Sequence, residues 1–225
     1  MKILAVDTSS SICSVALLED NNLIDVLNLD DGKTHSENLM PLIDEILKKN
    51  KVDIKDINLL ACCVGPGSFT GIRIGVASIK PIAEVLNIKV ASVTSLEALA
   101  RNIEIDQKTI VSLIDAKNNQ VYCGIFSSDY EKKDEYVAND INEVISILEK
   151  YENIVFVGNG AILHKDLIRN RIPNCLFSES NEQSAVSVGK IGYKKYLKNE
   201  LCDADTILPI YLRKSQAERL KSNGN

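Results

Sequence analysis

No run of apolar residues in the 225-residue chain approaches the roughly 18 needed to cross a bilayer, so no membrane-spanning helix is expected. Histidine is scarce, with His35 and His164 far apart in sequence and no HxxxH or HExxH spacing. A metallopeptidase would therefore lack its ligands, and a nucleophile–histidine triad is equally unsupported. Six cysteines are present, but none stands in a CxxC or Cys/His ligand pattern. Cys62 and Cys63 are adjacent and would point to opposite faces of a strand, so the six read as reduced, mostly buried thiols. An excess of positive charge is missing as well. A net charge of -5 argues against a free-standing nucleic-acid binder, whose affinity rests on neutralising phosphates.

What is there is an ordinary globular balance, 45% hydrophobic and 25% charged, enough to bury a core in one or two domains. Met1–Asp7 is too short in its apolar part for a secretory leader and predicts a first strand, hence a cytoplasmic chain. Apolar, β-branched runs predict strands over 2–7, 11–18 and 23–29. A helix follows, with Thr34 and Glu37 at capping-box spacing; Pro41 inside it implies a kink or a later start. Then come a strand over 57–64, a glycine loop over 65–71, a helix to about residue 86, a strand over 88–93 and a short helix over 95–101. The pattern restarts with strands over 110–115, 121–126 and somewhere in 133–138, a helix over 140–150, a strand over 154–157 and another helix. Each half opens strand–Asp–turn–strand, at Asp7 and Asp115, and each later carries Val-Gly-X-Gly between strand and helix, at 64–67 and 157–160. So long a repeat implies two like domains, 1–106 and 107–225. A β-meander followed by αβα, used twice, predicts a duplicated actin-like α/β fold with a cleft between the halves.

In that architecture nucleotide phosphates lie against two hairpin turns, where an Asp and a glycine let backbone N–H groups approach the anion. Here the turns read Asp7-Thr8-Ser9-Ser10 and Asp115-Ala116-Lys117-Asn118, and neither contains glycine. Asp7, Thr8, Ser9, Gly65, Gly67, Ser68 and Asp115 are thus expected to mark a degenerate nucleotide-like cleft. The Gly65–Gly71 loop is not a phosphate-binding P-loop, because Ile72-Arg73 follows Gly71 where Lys-Ser/Thr is required. Pro66 and Thr70 occupy the positions where a nucleophile elbow around Ser68 needs glycine. Its glycines and hydroxyls before a helix could hold an anion, although Pro66 removes one donor; a tight strand-to-helix turn is the simpler reading. His35, beside Glu37, reads as an exposed first-turn residue.

The helix after this loop is apolar on two lines, Ile72, Val76, Ile79, Ala83 and Leu86 on one, Ile74, Ala77, Ile82 and Val85 on the other. A surface helix needs one stripe. The second is expected to be covered by another subunit or by the second domain. With the apolar face of the preceding helix, the expected interface comprises Leu39, Met40, Ile43, Ile46, Leu47, Ile72, Val76 and Ile79. Near the C-terminus, Lys190, Lys194, Lys195, Lys198, Arg213, Lys214, Arg219 and Lys221 outnumber Glu200, Asp203, Asp205 and Glu218. This is either a solvated helix face or a basic tail for RNA or an acidic partner.

Ile3-Leu4-Ala5-Val6-Asp7-Thr8-Ser9, His35-Ser36-Glu37-Asn38-Leu39, Gly65-Pro66-Gly67-Ser68-Phe69-Thr70-Gly71-Ile72-Arg73-Ile74-Gly75, Ser95-Leu96-Glu97-Ala98-Leu99-Ala100, Asp115-Ala116-Lys117 and Pro209-Ile210-Tyr211-Leu212-Arg213 together resemble the TsaB/YeaZ family. The resemblance runs the whole chain in order, and the glycine-loop block is its most specific part. It implies a non-catalytic subunit of the machinery that places threonylcarbamoyl on tRNA. The implied partners are a TsaD-like catalytic paralogue, docked through the first domain, and a TsaE-like ATPase. The same helices would make a homodimer when the chain is alone, and tRNA would be met only through the complex. No cofactor is implied for the chain itself, with nucleotide conceivable only at a subunit interface. A small-molecule kinase or ATPase of the same fold, and the glycoprotease-type peptidase under which such chains were once described, are the alternatives. Lys117 stands where the family often has Arg, Pro81 where glycine is common, and 181–188 lacks a usual Pro. These departures weaken residue-level transfer in the second half.

Overall fold

The computed structural model describes residues 1–32 and 34–213. Strands β1 (Lys2–Asp7), β2 (Cys13–Glu19) and β3 (Asn22–Leu29) form an antiparallel meander. Helix α1 (His35–Lys49), strand β4 (Leu59–Cys63), helix α2 (Phe69–Leu86), strand β5 (Val90–Val93) and helix α3 (Ser95–Ala100) follow. The second half repeats this with β6 (Thr109–Asp115), β7 (Gln120–Phe126), β8 (Val137–Asp140), α4 (Ile141–Leu148), β9 (Ile154–Val157), α5 (Asn159–Leu163), α6 (Lys165–Arg171), the short β10 (Leu176–Phe177) and α7 (Ala185–Leu197). The sheets run β3-β2-β1-β4-β5 and, in mirrored listing, β8-β7-β6-β9-β10. In each, the last two strands pair parallel and the first three antiparallel. The duplication expected from the two Asp turns is therefore present strand for strand.

β1 is buried on both faces, which is why it reads as a continuous apolar run rather than an alternation. Its even-numbered Leu4 and Val6 enter a core with α1 and α2, while Ile3 and Ala5 face α7. The helices between the sheets are exchanged relative to the sequence. α7 packs on β1, β2, β4 and β5 of the first sheet, and α3 packs on β6 and β7 of the second. A cut at residue 106 thus separates each inner helix from the strands it covers. α7 lies very close to the first sheet because a Cβ at Gly189 would come 2.3 Å from Leu18 Cδ1, and one at Gly192 2.7 Å from Ala61 Cβ.

Local chemistry at two helix starts differs from expectation. The Thr34 hydroxyl donates to Glu37 Oε1 at 2.8 Å instead of capping a backbone N–H. A complete capping box is found at α3, where Thr94 accepts from Glu97 N–H and Glu97 Oε2 accepts from Thr94 N–H at 2.7 Å. α1 starts at His35 and runs through the exposed Pro41, so the helix does not begin later to avoid it.

Candidate functional site

The first wall of the cleft is the β1–β2 turn. Asp7 is 1% exposed, and its Oδ1 accepts from Ser9 N–H at 2.9 Å and from the Ser9 hydroxyl at 2.7 Å. This is a carboxylate tying its own turn together. Its other oxygen finds no N–H or O–H donor among the described residues. Burial pushes the Asp7 carboxyl above the ordinary carboxylate value, and the Ser9 hydrogen bonds pull it only part of the way back.

The glycine loop is pressed onto this turn. Ser68 N–H donates to Ser9 O at 2.8 Å, and the Thr8 hydroxyl donates to Gly71 O at 2.8 Å. A Cβ at Gly67 would lie 2.3 Å from Ser9 O, and one at Gly71 2.0 Å from Thr8 O. Both glycines are therefore required by backbone packed on backbone, with no room left for an anion between them. Ser68 caps α2, its hydroxyl accepting from Gly71 N–H at 3.2 Å, and Ser95 binds the Gly65 and Pro66 carbonyls from behind. Of the donors an anion would need, those of Ser68, Gly71 and Ile72 are already engaged. The simple strand-to-helix turn, not the anion cradle, describes this loop.

The second wall is the β6–β7 turn. Asp115 Oδ1 accepts from Lys117 N–H at 2.8 Å, its Oδ2 pairs with Lys117 Nζ at 2.7 Å, and its own N–H donates to Asn159 Oδ1 at 3.0 Å. Burial raises the Asp115 carboxyl, but the Lys117 contacts together outweigh that and hold it below the ordinary value. Lys117, Asn118 and Asn119 are all left-handed, with φ of 65°, 56° and 58°.

Between the walls lies a cleft of about 640 Å³. Ser9, Gly67 and Ser68 from one half and Asp115 from the other line it, as expected; Asp7, Thr8 and Gly65 sit behind the lining. The sequence reading missed Asp30, Asn159, Asn181 and Glu182, which also line it. The Asp30 signal was readable only once β3 was known to end beside the first turn. His35 lines the cleft too, half-buried with Nε2 2.8 Å from Ser10 O, which corrects its reading as an exposed first-turn residue. Among the described residues Asp30, Asp115 and Glu182 line it against Lys117, so a polyphosphate entering here would meet mostly like charge from them.

The expected interface residues require a larger correction. Leu39, Ile43, Ile46, Leu47, Ile72, Val76 and Ile79 are all buried in the chain's own core against β1, β2 and β4. Ile79 is 0% exposed, and only Met40, at 47%, stands out. The cause is rotational: Ile72, Val76 and Ile79 are the line of α2 that meets the sheet. The second line is divided: Ile74 and Ile82 are half-buried and pack against the same core, while Ala77 and Val85 face outward, Val85 at 83% exposure, with the exposed Pro81 between them. The basic segment is largely paired. Lys194 and Lys198 reach Glu131 at 2.6 and 2.8 Å, Lys195 reaches Glu97 at 3.0 Å, and Arg213 donates to the Ala116 carbonyl. Lys214, Glu218, Arg219 and Lys221 lie outside the described residues. Among the described residues, no three His, Cys, Asp or Glu side chains are placed to share a metal ion, and no helix is long and apolar enough to cross a membrane.

The sequence model of the family described as "TsaD: tRNA N6-adenosine threonylcarbamoyltransferase" matches residues 30–221. The tRNA threonylcarbamoyladenosine biosynthesis protein TsaB of Bacillus subtilis is 31% identical over an alignment covering 97% of this chain and 96% of that one. A crystal structure from Pseudomonas aeruginosa, an uncharacterized protein with similarity to peptidase YEAZ, superposes with a TM-score of 0.81 at 24% identity, covering 94% of this chain and 99% of that one. A ROK hexokinase from Thermus thermophilus shares the fold at a TM-score of 0.53 and 10% identity, covering 88% of this chain and 100% of that one. The two sheets are thus a duplicated actin-like pair of the sugar-kinase kind. With a family match across most of its length and a 31% identical relative along nearly all of it, the chain belongs to the TsaB/YeaZ family.

Proposed function

We propose that this chain is a non-catalytic subunit in the synthesis of threonylcarbamoyladenosine on tRNA, and that it docks a TsaD-like catalytic paralogue on the outward face of α1 and α2. The observation that carries this reading is the exposed apolar group Ala77, Pro81 and Val85 on the outer side of α2, together with the exposed Met40 of α1. The inner line already supplies the core, so an outer apolar group on the same helix is excess for a lone domain and fits a partner face. The family name carried by the relatives supplies the reaction. A TsaE-like ATPase joins the pair, and tRNA is reached through the assembly. When the chain is alone, the same face makes a homodimer.

The cleft supports a non-catalytic role. Both Asp carboxylates hold their own turns, the loop glycines are used in packing, and the described lining residues are net acidic. A kinase or ATPase would need the opposite in each respect. A peptidase is disfavoured because His35 is bound to the Ser10 carbonyl and His164 lies in the second half, so they do not converge on one ion. Nucleotide has a place only where a partner contributes to its site.

Reconstitution tests the proposal. The chain alone, with threonine, bicarbonate, ATP, the adenylate-forming synthase and substrate tRNA, is expected to give no threonylcarbamoyladenosine by mass spectrometry of digested tRNA. Adding the TsaD-like and TsaE-like subunits is expected to give the modified nucleoside, and omitting only this chain to abolish multiple turnover. Undiminished turnover on omission would overturn the role, and modification by the chain alone would overturn its non-catalytic character.

A further inference from the structure

We propose that residues 207–213 form a strap coupling the first turns of α2 to the Asp115 turn of the cleft, so that events on the α2 face are felt at the cleft wall. The proposal rests on the docking reading only in naming the α2 face as the side where such events occur.

The strap is held at Ile207 and at every residue from Ile210 to Arg213. It leaves an antiparallel bridge on the β5 edge, where Val90 and Cys202 exchange N–H···O bonds of 2.9 Å each way. Ile207 is buried in the core shared with α1 and α2, and Ile210 N–H donates to the Val64 carbonyl at 2.8 Å. Tyr211 then meets α2 directly. Its ring stacks on Phe69 with centroids 4.2 Å apart and an interplanar angle of 19°, and its hydroxyl accepts from Arg73 Nε at 2.8 Å. The Arg73 guanidinium also lies 4.4 Å over the Phe69 ring. Leu212 packs into the second half's cluster with Ile110 and Ile114. Arg213 ends the strap by donating to the Ala116 carbonyl.

The spacing is what makes this a coupling rather than two separate contacts. Only Leu212 separates Tyr211 on α2 from Arg213 on the cleft turn, a span of at most about 7 Å between their backbones even when fully extended. A displacement of the first turns of α2 has little slack to use before it pulls on Ala116. The receiving element is one that responds to tension. It is a run of three left-handed non-glycine residues, each in a conformation L-residues adopt reluctantly, closed by Gln120 N–H on the Lys117 carbonyl at 3.1 Å.

Amide hydrogen exchange on the full chain tests it. In Tyr211→Ala the Gln120 and Ala116 amides are expected to exchange about tenfold faster, with Val111 and Leu113 in the adjoining β6 unchanged. Faster exchange confined to 69–73, with Gln120 at the wild-type rate, would overturn the strap. Should Tyr211→Ala loosen β6 as well, Arg213→Ala decides: it is expected to speed Gln120 alone, and a wild-type rate there would overturn the strap. Adding the TsaD-like paralogue separates the two proposals. Failure to bind it would sink the docking reading and leave the isolated-chain result standing. Binding that alters Gln120 exchange in wild type but not in Arg213→Ala is the result expected if both hold. Binding with no change at Gln120 in wild type overturns the strap alone.

Discussion

Asp7 ends the central strand of the first sheet with its carboxylate enclosed, and this single residue has a measurable pH signature. Burial raises its carboxyl above the ordinary 3.8, so the fold favours the protonated form. The sign follows directly: a group raised in the folded state favours folding below its unfolded pKa, and that contribution is lost as pH rises through the folded value. Above its folded value the ionised carboxylate is therefore a burden that the Ser9 hydrogen bonds only partly relieve. Asp7→Asn keeps the oxygen that accepts from Ser9 and carries no charge at any pH. It is expected to raise Tm relative to wild type at pH 7, with the gain vanishing as pH falls below about 4. A Tm difference that stays constant across that range would show that the carboxylate does not titrate as its burial requires. At this scale the sequence was legible at the two Asp turns, which it marked as the cleft walls, but not at Thr34, whose capping-box spacing with Glu37 became a side-chain pair instead. It was not legible for His35, whose setting is made by the Ser10 carbonyl, 25 residues away along the chain.

Helix α2 shows what periodicity can and cannot establish. Two apolar lines were evident in its spacing, but which line meets the sheet depends on where the helix sits, and the spacing is silent on that. The structure puts Val76 and Ile79 inside and Ala77 and Val85 outside. Charge substitutions should sort accordingly. Val76→Glu and Ile79→Glu bury an unpaired carboxylate, which costs several kcal/mol and is enough to unfold a domain of ordinary stability. Both are expected to lose the cooperative thermal transition. Val85→Glu and Ala77→Glu leave the core untouched, and surface changes of this kind fall within about 0.5 kcal/mol. They are expected to keep the wild-type Tm while abolishing self-association and paralogue binding in sedimentation. Unchanged association in both outward variants would remove α2 from the partner surface.

At the scale of the whole molecule, the duplication was legible because its two halves repeat the same landmarks, Asp at a strand end and Val-Gly-X-Gly before a helix. The exchange of the inner helices was not. Nothing in the apolar pattern of α7 says which sheet it covers; the trace it leaves is Gly189 and Gly192, whose missing side chains let it settle on Leu18 and Ala61. That placement predicts how the chain divides. A fragment of residues 1–106 retains all five strands of the first sheet but loses α7, exposing Ile3, Ala5, Ala16, Leu18, Leu59 and Ala61 on one face. A sheet with one bare apolar face lacks the packed layer that a stable domain requires. The fragment is expected to show near-native far-ultraviolet circular dichroism at best, without a cooperative melt. The remedy is equally specific. Asn102 Nδ2 donates to the Glu182 carbonyl at 2.9 Å, so the end of the fragment and the start of the α7 segment are neighbours in space. Joining 1–106 to 182–213 through a short Gly/Ser linker restores the missing layer without the second sheet, and this fusion is expected to melt cooperatively. If the 1–106 fragment alone melts cooperatively, α7 is dispensable to the first sheet. If the fusion does not, the second sheet contributes stability that the inner helix cannot supply by itself.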